Sequence, residues 1–252
     1  MSSIAYESGN LGAGGGEAWS VRVDNDGKRY LVVETPRHNS LRSNEAGSSG
    51  SNGEVQWCKD QIRLLSNQIG KNGARSELND LNNAFMDWKA AKTSSTREKQ
   101  ARIIRSRFVK EATLFCSDMS GFSSICKAEG ILHFLALLKT MQSIMLPILE
   151  SHGGELVKVA ADNLFVVFDS PTQAMEATWK CFAAVKHYSI GKTKNNSIRI
   201  SAGLATGPMW IVRGVDVFGN TANVAFELGE NMASKELLVG ETVANACSRD
   251  PR

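Results

Sequence analysis

The spacing of apolar residues divides the chain into three stretches, and the last of them carries the clearest alternation. Residues 112–117 (ATLFCS) read as a buried strand, and Ile131–Ser151 as a helix with Pro147 in its later part. Two short strands, Glu155–Ala160 and 164–168, flank a tight turn at Ala161, Asp162 and Asn163, and residues 172–188 follow as a helix. Ile198, Ile200, Ala202 and Leu204 alternate with Arg199, Ser201 and Gly203, the period of a strand with one face buried. Gly207 and Pro208 are expected to turn the chain into a further strand over 209–213, and residues 220–232 form a helix. The order βααββαββα predicts an α+β fold, a mostly antiparallel sheet with helices packed on it.

Upstream the pattern weakens. Leu78, Leu81, Phe85 and Trp88 step by three and four, a helical stripe, and Trp57, Ile62, Leu65 and Ile69 suggest an earlier helix ended by Gly70 and Gly73. Residues 97–110 (REKQARIIRSRFVK) form a basic helical segment leading into the next domain. Residues 1–55 are rich in Gly, Ser and Asn and hold too little apolar surface to offset the entropy of ordering, so most of this stretch is expected to be disordered. Tyr30, Leu31, Val32 and Val33 are its one short run suited to a strand or a docking segment. The predicted organisation is therefore a disordered segment over 1–55, a helical basic lead-in over 56–110, and an α+β domain over 111–252.

Charge and composition narrow the classes of function. The formal net charge of +3 is too small to announce a nucleic acid or a membrane surface, and the basic segment lacks the interleaved aromatics that stack bases. The charge is split: residues 1–110 hold 17 basic and 12 acidic residues (+5), residues 111–252 hold 12 and 14 (−2). No run reaches the roughly 18 apolar residues a membrane span needs. Five cysteines are scattered without a CxxC pair, and four histidines show no zinc spacing. Reduced thiols in a cytoplasmic setting are the expectation.

The chemistry concentrates at two aspartates. Asp118 closes the first strand of the domain and is followed by Met119, Ser120, Gly121, Phe122 and Ser123, a carboxylate at a strand end ahead of a helix start. Such an arrangement suits a divalent cation with phosphate oxygens facing the helix-start amides. Asp162 sits in the hairpin turn, and if the two strands are neighbours both carboxylates can hold the same ions.

With their surroundings, these residues resemble the class III nucleotide cyclase catalytic domain, the adenylate and guanylate cyclase family. Its F-x-D-[IM]-x-G-F-[ST] motif is matched by Cys116–Ser123 (CSDMSGFS), with Cys116 at the Phe position. G-G-x-x-x-K-x-x-G-D is matched from Gly153 to Asp162 (GGELVKVAAD), and D-x-[WF]-G-x-x-V-N-x-A-x-R from Asp216 to Glu227 (DVFGNTANVAFE). The resemblance covers residues 112–240 and implies a ferredoxin-like cyclase fold. It further implies that Asp118 and Asp162, with the Met119 carbonyl, bind two Mg²⁺ or Mn²⁺ ions, and that Ser120, Gly121 and Phe122 line the substrate. Lys158 and Asp216 would read the base. A lysine donating to ring N1 and an aspartate accepting from the 6-amino group fit adenine, so ATP is the expected substrate. Asn223 would position the ribose.

Three departures from the family pattern bear on activity. Ala161 replaces the Gly before the second aspartate; if that position needs a positive φ, the cost is about 1 kcal/mol. Glu227 occupies the place of the arginine that stabilises the transition state, and by analogy with losing one oxyanion donor a rate loss of about 10²–10³ or more follows. The family's final β-hairpin is expected to lack a counterpart within these residues. Class III sites form between two chains, so a homodimer would place Glu227 in both sites. A heterodimer would let this chain lend Asp118 and Asp162 to a partner that brings its own arginine. Two functions are expected to compete: an adenylate cyclase domain that needs a partner, and a catalytically inactive cyclase-homology protein with a regulatory or structural role.

Overall fold

The computed structural model describes residues 8–10, 18–23, 29–33, 71–230 and 237–249. The expected helix around Trp57, Ile62, Leu65 and Ile69 lies outside the described residues. Strands are β1 (Ser8–Asn10), β2 (Ala18–Val23), β3 (Arg29–Val33), β4 (Val109–Met119), β5 (Glu155–Ala160), β6 (Asn163–Phe168), β7 (Ile200–Val212), β8 (Asp216–Phe218) and β9 (Leu237–Val239). Helices are α1 (Lys71–Ala90), α2 (Ser94–Phe108), α3 (Phe122–Glu129), α4 (Ile131–Ser151), α5 (Pro171–Ser189), α6 (Asn220–Glu230) and α7 (Glu241–Arg249).

One sheet runs in the order β1-β2-β3-β9-β7-β4-β6-β5, with β8 also paired to β7. All pairings are antiparallel except β7 with β9. The expected α+β architecture is present. Gly207 and Pro208 do not turn the chain as expected: β7 runs through them, held in register against β4 from Val109↔Trp210 to Met119↔Ile200. Gly207 instead admits α6, since a Cβ there would stand 2.7 Å from Thr221 Oγ1, whose hydroxyl donates to the Pro208 carbonyl. Gly73, expected to end a helix, lies within α1. The run Tyr30–Val33 forms most of β3, which pairs with β9.

Two apolar layers sandwich the sheet. On one face Phe115, Met119, Leu164, Val166 and Leu204 meet Phe134, Leu138, Met141, Met145 and Leu149 of α4 and Ala177, Cys181 and Val185 of α5. By length and composition α4 could cross a membrane, but its apolar stripe is spent on this core. On the other face Leu114, Cys116, Phe165, Val167 and Ala205 pack under Ala222 and Ala225 of α6. Ser201 and Gly203, predicted to face outward, are therefore buried as well. What decides this is a glycine-to-glycine crossing. A Cβ on Gly203 would stand 2.2 Å from the Ala225 carbonyl, and one on Gly229 2.8 Å from the Cys116 carbonyl, so α6 lies backbone-close to β4 and β7.

The lead-in helices pack on the far end of β7, where Leu81, Ile104 and Phe108 bury against Val212 with Trp210 and Val215 alongside. Glu77 accepts from the Arg213 backbone N–H at 2.7 Å and pairs with its guanidinium, which also pairs with Glu155.

Candidate active site

Strand alternation places Leu114, Cys116 and Asp118 on the α6 side of the sheet, with Phe115 and Met119 on the other. Asp118 is therefore delivered to the end of β4 on the face that α6 only partly covers. The β5–β6 hairpin brings Asp162 beside it. Its turn requires φ = 53° at Ala161, the one non-glycine positive φ among the described residues, so the left-handed conformation expected of that position is present and is occupied by alanine.

Asp118 and Asp162 are within hydrogen-bonding reach of each other. Burial, the Asp162 charge and the Glu230 charge push the Asp118 carboxyl up to about 6, against a smaller opposing effect of the Met119 backbone N–H. Among the described residues neither aspartate has a Lys or Arg partner. Two partly buried carboxylates side by side without a cation are a site in electrostatic deficit, which a divalent ion would relieve. No third His, Cys, Asp or Glu among the described residues completes a three-ligand cage.

The loop after Asp118 is ordered by short contacts. The Ser120 N–H donates to the Arg199 carbonyl at 2.9 Å, and Gly121, at φ = 100°, starts α3, its carbonyl accepting from Ile125 N–H and Ser124 Oγ. Phe122 is half-exposed and meets Phe134 edge-on, with ring centroids 4.7 Å apart. Met119 buries its side chain in the helix-covered core.

Lys158 and Asp216, distant in sequence, form an ion pair with Nζ to Oδ1 at 2.6 Å. Lys158 is on β5, and Asp216 opens β8, which folds back on β7. The same Oδ1 accepts the Val217 N–H at 2.7 Å, which fixes the carboxylate's orientation. Lys158 Nζ also sits 4.5 Å from the centroid of the Phe165 ring, and Phe165 stacks on Phe226 of α6. Asn223 and Glu227, one turn apart on α6, are both exposed. Within one chain no hydrogen bond or ion pair among the described residues links either to the aspartate pair or to Lys158–Asp216. The structure thus assembles the two pairs and leaves the Asn223–Glu227 face open.

Glu230, Asn163 and Arg199 were not singled out from the sequence. Glu230, at the end of α6, accepts from Asn163 Nδ2 at 2.5 Å and adds its charge to the environment of Asp118. The only linear hint was its place one turn beyond the third motif. Cys116, at the family's Phe position, is fully buried and its thiol is pushed up to about 12, so it acts as a small apolar residue.

The fold agrees with the comparisons. Residues 104–250 match the model of the adenylate and guanylate cyclase catalytic domain, and the chain belongs to that family. A receptor-type guanylate cyclase of Caenorhabditis elegans is 23% identical over 167 residues, 60% of this chain and 15% of that protein. An adenylate cyclase of Mycobacterium bovis is 24% identical over 164 residues, 58% of this chain and 35% of that protein. The chain thus spans about a third or less of the length of these curated relatives. The crystal structure of an adenylate/guanylate cyclase/hydrolase from Silicibacter pomeroyi superimposes with a TM-score of 0.50 at 21% identity, covering 54% of this chain and 79% of that one.

Proposed function

We propose that this domain is an adenylate cyclase subunit that converts ATP to 3′,5′-cyclic AMP and pyrophosphate in the cytoplasm, and that it works weakly alone and fully with a second cyclase-like chain. The observation that carries the substrate reading is the Lys158–Asp216 pair, held at 2.6 Å before any base arrives. Asp216 Oδ1 is engaged by Lys158 and by the Val217 N–H, so Oδ2 is left to accept from an exocyclic amino group. Lys158 Nζ has further protons to donate to a ring nitrogen. Donor beside acceptor matches adenine N1 and N6; guanine offers the opposite sense at these positions.

Asp118 and Asp162, with the Met119 carbonyl, are assigned to two Mg²⁺ or Mn²⁺ ions. Such ions would acidify the ribose 3′-hydroxyl and neutralise charge on the triphosphate. The chain's own contribution is position. The β4 end and the hairpin hold both carboxylates at one place, Ser120, Gly121 and Phe122 border it, and Asn223 is set to orient a ribose from the exposed face of α6. Since Asn223 and Glu227 engage nothing of the site within their own chain, the reading requires two chains. In a homodimer Glu227 would oppose the triphosphate; a heterodimer partner bearing an arginine there would not. The inactive, regulatory alternative is favoured by the same residue.

The test is turnover of ATP and GTP with Mn²⁺, following cyclic nucleotide and pyrophosphate by mass spectrometry. Low but measurable cyclic AMP, with little cyclic GMP, is expected from the chain alone. Cyclic GMP in excess would overturn the adenine assignment, and robust turnover by the homodimer would overturn the weight placed on Glu227.

A further inference from the structure

The third motif lacks its cation, and an arginine outside that motif rests on the loop that leaves Asp118. Ile198, Ile200, Ala202 and Leu204 face the α4–α5 layer, so Arg199 and Ser201 share the opposite face of this segment with Asp118. The ladder confirms the placement: Asp118 lies opposite Ser201, Met119 opposite Ile200, and the Ser120 N–H donates to the Arg199 carbonyl at 2.9 Å. Arg199 is thus pinned by its backbone to the loop that leaves Asp118. Its side chain turns onto the same loop, where a Cβ built on Gly121 would stand 3.0 Å from Nη2.

The guanidinium is only partly exposed, its Nε is shut off from solvent, and Nε has no hydrogen-bond partner. Among the described residues no carboxylate forms an ion pair with it. A buried guanidinium donor without an acceptor is unusual, because removing it from water costs free energy that a partner normally returns. Gly121 leaves the guanidinium room, and the loop it rests on leads directly from Asp118, the end of β4 where divalent cations would gather. An anion brought in with those cations could reach Arg199 across that loop.

We propose that Arg199 is a substrate-binding residue that grips the triphosphate tail of the nucleotide from this chain, supplying at the metal end part of the positive charge that Glu227 cannot supply from α6. Resting on the reading of Asp118 and Asp162 as the metal end of a nucleotide site, it adds a planar fork of donors suited to phosphate oxygens. Gly121, required by its φ of 100°, leaves the space beside the guanidinium open. The role belongs to the chain that holds the metals, so it is independent of what a partner contributes through the α6 position.

Inorganic triphosphate is the probe, because it lacks base and ribose and so bypasses Lys158, Asp216 and Asn223. Its affinity in the presence of Mn²⁺ is measured by calorimetry on the full chain, alongside Mn²⁺ alone. Arg199→Gln is expected to weaken triphosphate binding about 10- to 100-fold, the range for one or two charge-assisted hydrogen bonds. Mn²⁺ alone should bind about as tightly as before, because among the described residues Arg199 forms no ion pair with either aspartate. Arg199→Lys, which keeps the charge and loses the fork, should fall between. A purely structural role would lower both affinities together and would not be rescued by lysine, and that pattern overturns the proposal. So does an unchanged triphosphate affinity in Arg199→Gln, or a wild-type chain that binds Mn²⁺ but no triphosphate. Failure of the cyclase reading looks different: Arg199-dependent triphosphate binding persists while Mn²⁺ and ATP yield no cyclic AMP.

Discussion

Replacing Asp118 with Asn separates the electrostatic cost of the aspartate pair from its use. Burial, Asp162 and Glu230 hold the Asp118 carboxyl at about 6 in the folded chain, against an ordinary 3.8. A raise of about two units corresponds to at most about 3 kcal/mol, and the carboxyl is partly open to water, which reduces this to about 1–2 kcal/mol. The sign follows from proton counts. Between pH 4 and pH 6 the folded state holds a proton that the unfolded state has released, so without metal this group lowers stability as pH rises through that window, and the full deficit persists above it. Asparagine carries no charge at any pH. Asp118→Asn should therefore gain about 1 kcal/mol relative to the wild type between pH 4.5 and pH 7.5, read as the difference between urea unfolding midpoints at the two pH values. Saturating Mn²⁺ should reverse the order: at about 100 times its Kd it stabilises the wild type by about 2.7 kcal/mol and the variant by far less. A wild-type-to-variant difference that is the same at both pH values would refute the raised Asp118 carboxyl, and with it the burial and the neighbouring Asp162 and Glu230 charges that raise it. Equal stabilisation of both proteins by Mn²⁺ would refute their role as the metal site.

Glu227→Arg should raise cyclic AMP formation by about 10²-fold or more if the rest of the site is competent, checked by turnover with ATP and Mn²⁺; no gain, with nucleotide still bound, favours the inactive reading. Lys158→Glu should erode the preference for ATP over GTP, and a ratio of turnover rates equal to that of the wild type would sink the base-reading assignment. Ala161→Gly relieves the left-handed strain but loosens the unfolded chain, so unfolding free energy should change by less than about 1 kcal/mol, and a large loss would mean that the methyl group packs. Gly203→Val should destabilise the fold by several kcal/mol, about 3 or more, because α6 cannot retreat from β7 without uncovering Ala225; a near-neutral melting temperature would contradict the backbone-close crossing.

Much of the fold was legible because its periodicities are local. The helices over Ile131–Ser151 and Pro171–Ser189, the hairpin around Asp162 and the strand ending at Asp118 all announce themselves within a few residues of sequence. The misreadings came where a distant element overrides a local signal. Gly207 and Pro208 look like a turn, but β4 pairs across them and the glycine is there to admit Thr221. Ser201 and Gly203 look solvent-facing, but α6 lies on them. The stripe from Leu78 to Trp88 was legible as a helix, while its anchoring through Glu77 to Arg213 joins residues far apart in sequence, which no pattern reveals.

The same division holds for the site. By itself the sequence determined the family resemblance and the identity of both pairs, because motif spacing depends on short segments whose geometry is local. It also set the expectation that Glu227 stands where the family resemblance puts an arginine. Tertiary structure alone decided that Asp118 and Asp162 lie side by side with a raised Asp118 carboxyl, that Lys158 and Asp216 form an ion pair, and that Glu230 and the Arg199 backbone belong to the neighbourhood of Asp118. Those are facts about strand register and about how closely α6 can approach β4 and β7, and both are set by contacts between residues far apart in the chain.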